Sequence, residues 1–290
     1  MHRVAICVLA TLSVSAAAPQ PVGPGALPAL LMRIGDRVER YYGRAQRIMC
    51  EETVRLEPLG SDLLWDGRHV RRLVYELRVA WDAPTDGRSP DATVLRQIVS
   101  VDGRPPRQGD EPGCMDPKPV STEPLAMLLG GRQHEYAFAW AGTGRTSGRD
   151  SVRLDYKSVS ARPADITWKG ECVTVDLPGR TRGRVWVDPT TTDVLRLDEQ
   201  LTGTFEFRVP KEHTRPGSPS SLIIERADSS IRYRPITFHD PDETLMLPAS
   251  IETLQVIRNS GVPRLRISQT FSRYKRFITD ARIVTDPGSF

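Results

Sequence analysis

After one helical segment, this chain alternates. In RRLVYELRVAW, residues 71–81, Leu73, Tyr75, Leu77, Val79 and Trp81 fall on one side of an extended backbone. Arg72, Glu76 and Arg78 fall on the other, with Val74 and Ala80 between them. The two-residue period returns in ATVLRQIVSVDG, HEYAFAWAG, DSVRLDYKSVS, ECVTVDLPG, GRVWVDP, TDVLRLDEQL and TFEFRVP. It continues through SLIIERAD, SSIRYRPITFHD, ASIETLQVIRN and VPRLRISQTFSRYKRF. Such a clean in-and-out pattern belongs to antiparallel strands with one wet side. Asp102-Gly103, the Asp188 to Thr191 segment and Asn259-Ser260-Gly261 supply reversals between ribbons.

The pattern predicts about ten to twelve strands and little helix after the first segment, which excludes the strand–helix alternation of a parallel α/β enzyme. No internal repeat of constant period stands out, so a propeller is disfavoured. The expected fold is mainly β (α+β): a strongly curved antiparallel sheet or half-barrel with an N-terminal amphipathic helix against it. A β-sandwich is the alternative, but it would leave that helix outside the main core.

The helix is read from LPALLMRIGDRVERYYGRAQRIMC. Leu27, Leu31, Ile34, Val38, Tyr41, Ala45 and Ile48 recur at spacings of three and four, one stripe of a helix. Arg33, Asp36, Arg37, Arg40, Arg44 and Arg47 lie mostly elsewhere. Pro28 suits the first turn. The acids Asp36 and Glu39 interrupt the basic face, which favours a solvated surface over contact with membrane phosphates.

The chain opens MHRVAICVLATLSVSAAAPQP: a basic start, an apolar run from Val4 to Val14, then small residues Ala16 to Ala18. This reads as a secretory signal over residues 1–18, followed by a loose lead-in over 19–26 and one domain over 27–285. No later segment offers an apolar span of about 20 residues, so no transmembrane segment is expected after signal removal. With 40 basic and 36 acidic residues the net charge is only +4, and a dedicated nucleic-acid binder is not expected.

Beyond Cys7 stand Cys50, Cys114 and Cys172. Export permits a disulfide, and an odd number leaves one thiol over. A Cys114–Cys172 bridge would fasten a Gly/Pro-rich loop to a strand, with Cys50, at the end of the helix, as the buried thiol. Pairings of Cys50 with either of the others remain open at this stage.

Chemistry is sparse. His69, His134, His213 and His239 occupy four separate segments, without metal-ligand spacing. Asp240, Asp242 and Glu243 form an acidic patch, but it lacks the glycine and ligand rhythm of a calcium loop and reads as a turn. No Gly-x-Ser-x-Gly elbow or phosphate-cradling loop is present. Gly142-Thr143-Gly144-Arg145 precedes no helix, and the adjacent acids Glu51 and Glu52 diverge on an extended backbone. No catalytic residue, cofactor or metal site is therefore expected.

Arg180, Arg182 and Arg184 alternate with Thr181, Gly183 and Val185, which would display three guanidinium groups on one side. Arg264, Arg266, Arg273, Lys275 and Arg276 form a further basic run. Cross-strand pairing with Asp193, Asp198, Glu199 and Glu206 is the simpler role for such stripes.

The helix with EETVRLEPLG, then SVDGRPPR, GRVWVDPTT, SIRYRPITFHDPDETLMLPASIETL and FSRYKRFITDARI, resembles a family of exported bacterial proteins without an assigned role. The strongest part is the succession Trp186 to Pro189, Ile231 to Tyr233 with Leu247-Pro248, and Tyr274 to Phe277. More distantly, the signal, opening helix, long ribbon and turn at Asp188 to Thr191 resemble the periplasmic lipoprotein-carrier fold. That resemblance implies an incomplete barrel that holds acyl chains, with no family binding residue matched by motif.

The expected function is a non-enzymatic envelope or secreted binding protein whose sheet groove holds an amphiphilic or lipid ligand. Leu73, Tyr75, Leu77, Val79, Trp81, Tyr136, Phe138, Trp140, Phe205 and Phe207 are its candidate lining, although a solid core requires the same pattern. The alternative is an envelope scaffold that binds a protein partner through sheet edges or through Arg180, Arg182 and Arg184. A hydrolase is the third reading.

Overall fold

The computed structural model describes residues 23–45, 47–81, 92–110, 113–117, 123–214, 217, 219–239 and 242–276. The export signal, residues 82–91, Asp240 and Phe277 lie outside them. Helix α1 spans Leu27–Arg44, with proline in its first turn; Pro24–Ala26 of the expected lead-in form a 3-10 turn before it. The helix ends earlier than the apolar stripe suggests. Arg47 takes a left-handed φ of 58°, and Ile48 to Cys50 enter strand β1 (Ile48–Pro58). There Ile48 and Met49 pair with strands on both sides and Cys50 pairs with Leu77, which outweighs one more helical turn. Cys50 is therefore a strand residue.

Strands β2 (Arg71–Trp81) and β3 (Ala92–Val101) complete an N-terminal meander. A long connection leads to β4 (Tyr136–Thr146) and β5 (Arg149–Ser158), then to a small hairpin of β6 (Asp165–Lys169) and β7 (Cys172–Asp176). The rest are β8 (Thr181–Val187), β9 (Val194–Leu201), β10 (Phe205–Arg208), β11 (Ser221–His239), β12 (Asp242–Arg258) and β13 (Arg264–Arg276). All ladders are antiparallel. The large sheet runs β3-β2-β1-β13-β12-β11-β9-β8-β5-β4, with β10 on β11. It curves around α1 without closing, since β3 and β4 remain its two edges. Register breaks in β2–β3, β4–β5, β8–β9 and β11–β12 provide bends of the kind that curve a sheet.

Two sequence readings merge in β11. The segments SLIIERAD and SSIRYRPITFHD are one strand of 19 residues, paired along nearly its whole length with β12. On its other side the first half carries β10 and the middle carries β9. The acidic patch resolves as the end of this hairpin. Asp242 opens β12 opposite His239, and Glu243 pairs with Arg276 at 2.6 Å and Arg44 at 3.6 Å.

Candidate functional site: the concave side of the sheet

The alternation places Val152 and Leu154 of β5, Val185 and Val187 of β8, Leu197 of β9 and Ile231 of β11 in one buried cluster with α1. The helix contributes Leu30, Ile34, Val38, Tyr41 and Tyr42. Each such side chain contributes about 1.5–3 kcal/mol through burial. The turn from β8 to β9 holds the helix in place. Asp188 accepts the N–H groups of Thr190 and Thr191 at 2.8 and 3.0 Å, and Asp193 pairs with Arg37 at 2.5 Å. Arg33 donates to the Pro189 carbonyl at 3.2 Å. Part of the basic helix face thus grips a turn instead of pointing only to water.

A second element fills the interior. In the β3–β4 connection a 3-10 segment, Glu123–Leu128, buries Leu125, Ala126, Met127 and Leu128 against the same cluster. Gln133 holds it to the helix, donating from Nε2 to the carbonyls of Leu31 at 2.8 Å and Leu128 at 2.7 Å. Gly35 permits this approach, because a Cβ there would stand 3.1–3.2 Å from Gln133 Nε2, Gly130 N and Leu128 O. Earlier in the connection, Cys114 is disulfide-bonded to Cys172 at the start of β7, as the sequence suggested, and Cys50 is the buried free thiol.

Toward β2 and β3 the interior carries a polar node. Glu52 of β1, wholly buried, accepts two hydrogen bonds from Arg96 of β3 at 2.8 and 2.9 Å and one from Gln269 of β13 at 2.7 Å. Arg96 also donates to the Pro117 carbonyl at 2.5 Å, and its guanidinium lies 3.7 Å from the Tyr75 ring centre. Burial pushes the Tyr75 hydroxyl up to about 12, with Arg96 opposing the shift. Burial and then the Glu52 charge push the Cys50 thiol up to about 12. That keeps the thiol protonated and unreactive. Beyond the node lies a separate apolar cluster of Val54, Leu56, Leu73, Tyr75, Val101, Leu265 and Ile267.

The expected lining residues divide by depth. Leu73, Tyr75 and Leu77 are buried in packed clusters, and Phe207 is buried on β10. Val79 of β2 and Tyr136, Phe138 and Trp140 of β4 are half-buried, resting on the helix-side cluster. Phe205 stacks on Phe207 with ring centres 6.0 Å apart, and the Arg180 guanidinium lies 5.3 Å from its ring. The backbone of Trp81 ends β2, and its side chain lies outside the described residues. Tyr136, Phe138 and Tyr156 form a cluster of rings 6.1–6.3 Å apart. Beside it, the Tyr156 hydroxyl donates to Glu199 at 3.3 Å; burial nevertheless holds that carboxyl above its usual range.

The arginine triplet is not equivalent along its length. Arg184 donates to both oxygens of Asp155, Arg180 covers Phe205, and Arg182 is exposed. The histidines do not converge: His69 meets Asp102 at 3.1 Å, His239 meets Asp242 at 3.7 Å and His213 stacks on Trp168. Among the described residues no group of three or more His, Cys, Asp or Glu side chains could hold a metal, and no helix is long and apolar enough to cross a membrane.

No protein-family model matches the sequence, and no curated protein matches it. Solved structures similar to it include a LolA superfamily protein from Nitrosomonas europaea, 10% identical over 85% of this chain and 93% of that one, with a TM-score of 0.34. A DUF1329 family protein from Desulfovibrio piger is 11% identical over 88% and 94%, with a TM-score of 0.41. A chain of the Pseudomonas aeruginosa MucA/MucB complex is 11% identical over 82% and 93%, with a TM-score of 0.24. These likenesses transfer no residue and no ligand.

Proposed function

We propose that this is an exported, non-enzymatic binding protein of the cell envelope that holds an amphiphilic ligand on the concave side of its sheet. The apolar part of the ligand lies along the margin between α1 and β4. One observation carries this reading. Tyr136, Phe138 and Trp140 stand in a row on an edge strand, on the same side as the helix, and each remains half-exposed. Aromatic side chains exposed in a row beside a core supply the apolar wall that a ligand site needs. Leu77 and Val79 of β2 pack with the same helix-side cluster and back this wall. The disulfide fits an oxidising compartment outside the cytoplasm.

The test is to purify the protein from its native envelope, extract it and identify bound amphiphiles by mass spectrometry. One enriched class of amphiphile is expected, released by a Phe138→Ser, Trp140→Ser variant that still folds. Extracts of the wild-type protein no richer in amphiphile than those of an unrelated envelope protein would reject the reading.

A further inference from the structure

On the convex side, side chains from neighbouring strands line up in rows. One row reads Asp155, Arg184 and Asp198 on β5, β8 and β9, alternating in charge. Arg184 answers Asp155 at 2.6 and 3.1 Å, and Arg196 answers Asp198 at 2.7 Å. The next row reads Lys157, Arg182 and Gln200. Lys157 faces Arg182 directly across the β5–β8 ladder, and both are exposed. Among the described residues neither has an acidic partner. Like charges placed opposite each other on adjacent strands destabilise a sheet. Folding alone gives no reason to keep them.

An open depression of about 410 Å³ lies over this row, lined by Asp155, Lys157, Arg182, Arg184, Trp186 and Gln200 among others. We propose that it is a docking surface for an acidic protein segment, with one carboxylate seated between Lys157 and Arg182. A carboxylate there would gain two charge-assisted hydrogen bonds and remove the repulsion between the cations. The acids within the depression do not compete, because Asp155 and Asp198 already have their own arginines. A peptide fits better than an acidic sugar. The Trp186 ring is approached by Arg196 at 4.6 Å and Arg184 at 5.9 Å, so it offers no free platform for a sugar ring. The surface lies on the face opposite the amphiphile margin, and either reading can fail without the other.

Poly-L-glutamate titrated at low ionic strength tests this in the full chain. Wild-type protein is expected to bind, weakening as salt is added. The Lys157→Gln, Arg182→Gln variant is expected to lose roughly ten-fold in affinity or more. Each single variant should melt no lower than wild type at low salt, since a repulsion has been relieved, which separates lost binding from lost folding. Equal affinity in wild type and double variant would overturn the site. Polygalacturonate binding more tightly than poly-L-glutamate, through the same two residues, would overturn the peptide assignment.

Discussion

Arg96 sits where water hardly reaches, with Glu52 as its counter-ion; their side chains are 7% and 0% exposed. Removing one member leaves a buried charge without compensation, whereas removing both leaves a cavity of ordinary polarity. Arg96→Met is expected to cost about 3–5 kcal/mol in urea unfolding, and Glu52→Leu combined with it should recover much of that loss. A single variant within about 1 kcal/mol of wild type would mean that the node is not desolvated as described. The sequence shows why this site is hard to read in advance. Alternation predicts that Glu51 and Glu52 point to opposite sides, and they do: Glu51 pairs with Arg273 at 2.8 Å on the other face. The partner of Glu52, 44 residues away on β3, follows only from strand register. Glu199 is the second residue with a measurable signature. Burial raises its pKa in the folded state, so the folded chain binds this proton more tightly than the unfolded chain. Its contribution is full below the unfolded value, about pH 4, and is lost as pH rises through the folded value. Glu199→Gln should therefore melt higher than wild type at neutral pH, and the gap should close toward pH 4. A variant that melts lower at neutral pH would contradict this.

At the scale of elements, the turn between β8 and β9 links sheet and helix. Asp188 accepts two backbone N–H groups and pairs with Arg149 at 2.7 Å, while its neighbours bind α1. Asp188→Ala is expected to cost about 2 kcal/mol, and Asp188→Asn less, because the amide oxygen can still accept the turn N–H groups. Equal losses in both variants would place the stabilisation in the ion pair and not in the turn. Position 188 was legible as a reversal, since Asp-Pro between two alternating runs has few other uses. Its second role was not, because contact with α1 depends on where the sheet curves. The same limit explains the end of the helix. The stripe through Ala45 and Ile48 fits a helical period, and Arg47 carries no side-chain signal of a left-handed turn. Ile48 is instead claimed by β2 and β13. The hairpin of β6 and β7 was half visible: ECVTVDL reads as a strand, but its partner DITWK is too short for alternation to stand out.

For the molecule as a whole, the sheet is assembled from both ends of the sequence. β1 joins β13, so Glu52 lies opposite Phe271 and the N-terminal meander becomes continuous with the strands that follow β4. That arrangement curves the sheet around α1 and brings Leu125 to Leu128 into the interior as a plug. Period and turn residues were enough to anticipate an antiparallel, helix-covered sheet. They say nothing about what occupies its hollow, because a wall and a core need the same apolar residues. The plug belongs to a connection with no strand period of its own. The half-exposed row on β4 borders the hollow, and its occupation by an amphiphile is the central claim. Hydrogen–deuterium exchange with and without lysophosphatidylcholine below its micelle concentration tests that most directly. Protection gained over residues 27–31 and 136–140, with β8 and β9 unchanged, is the expected result. Exchange at 136–140 unaffected by saturating lipid, or protection confined to the convex strands, would contradict it.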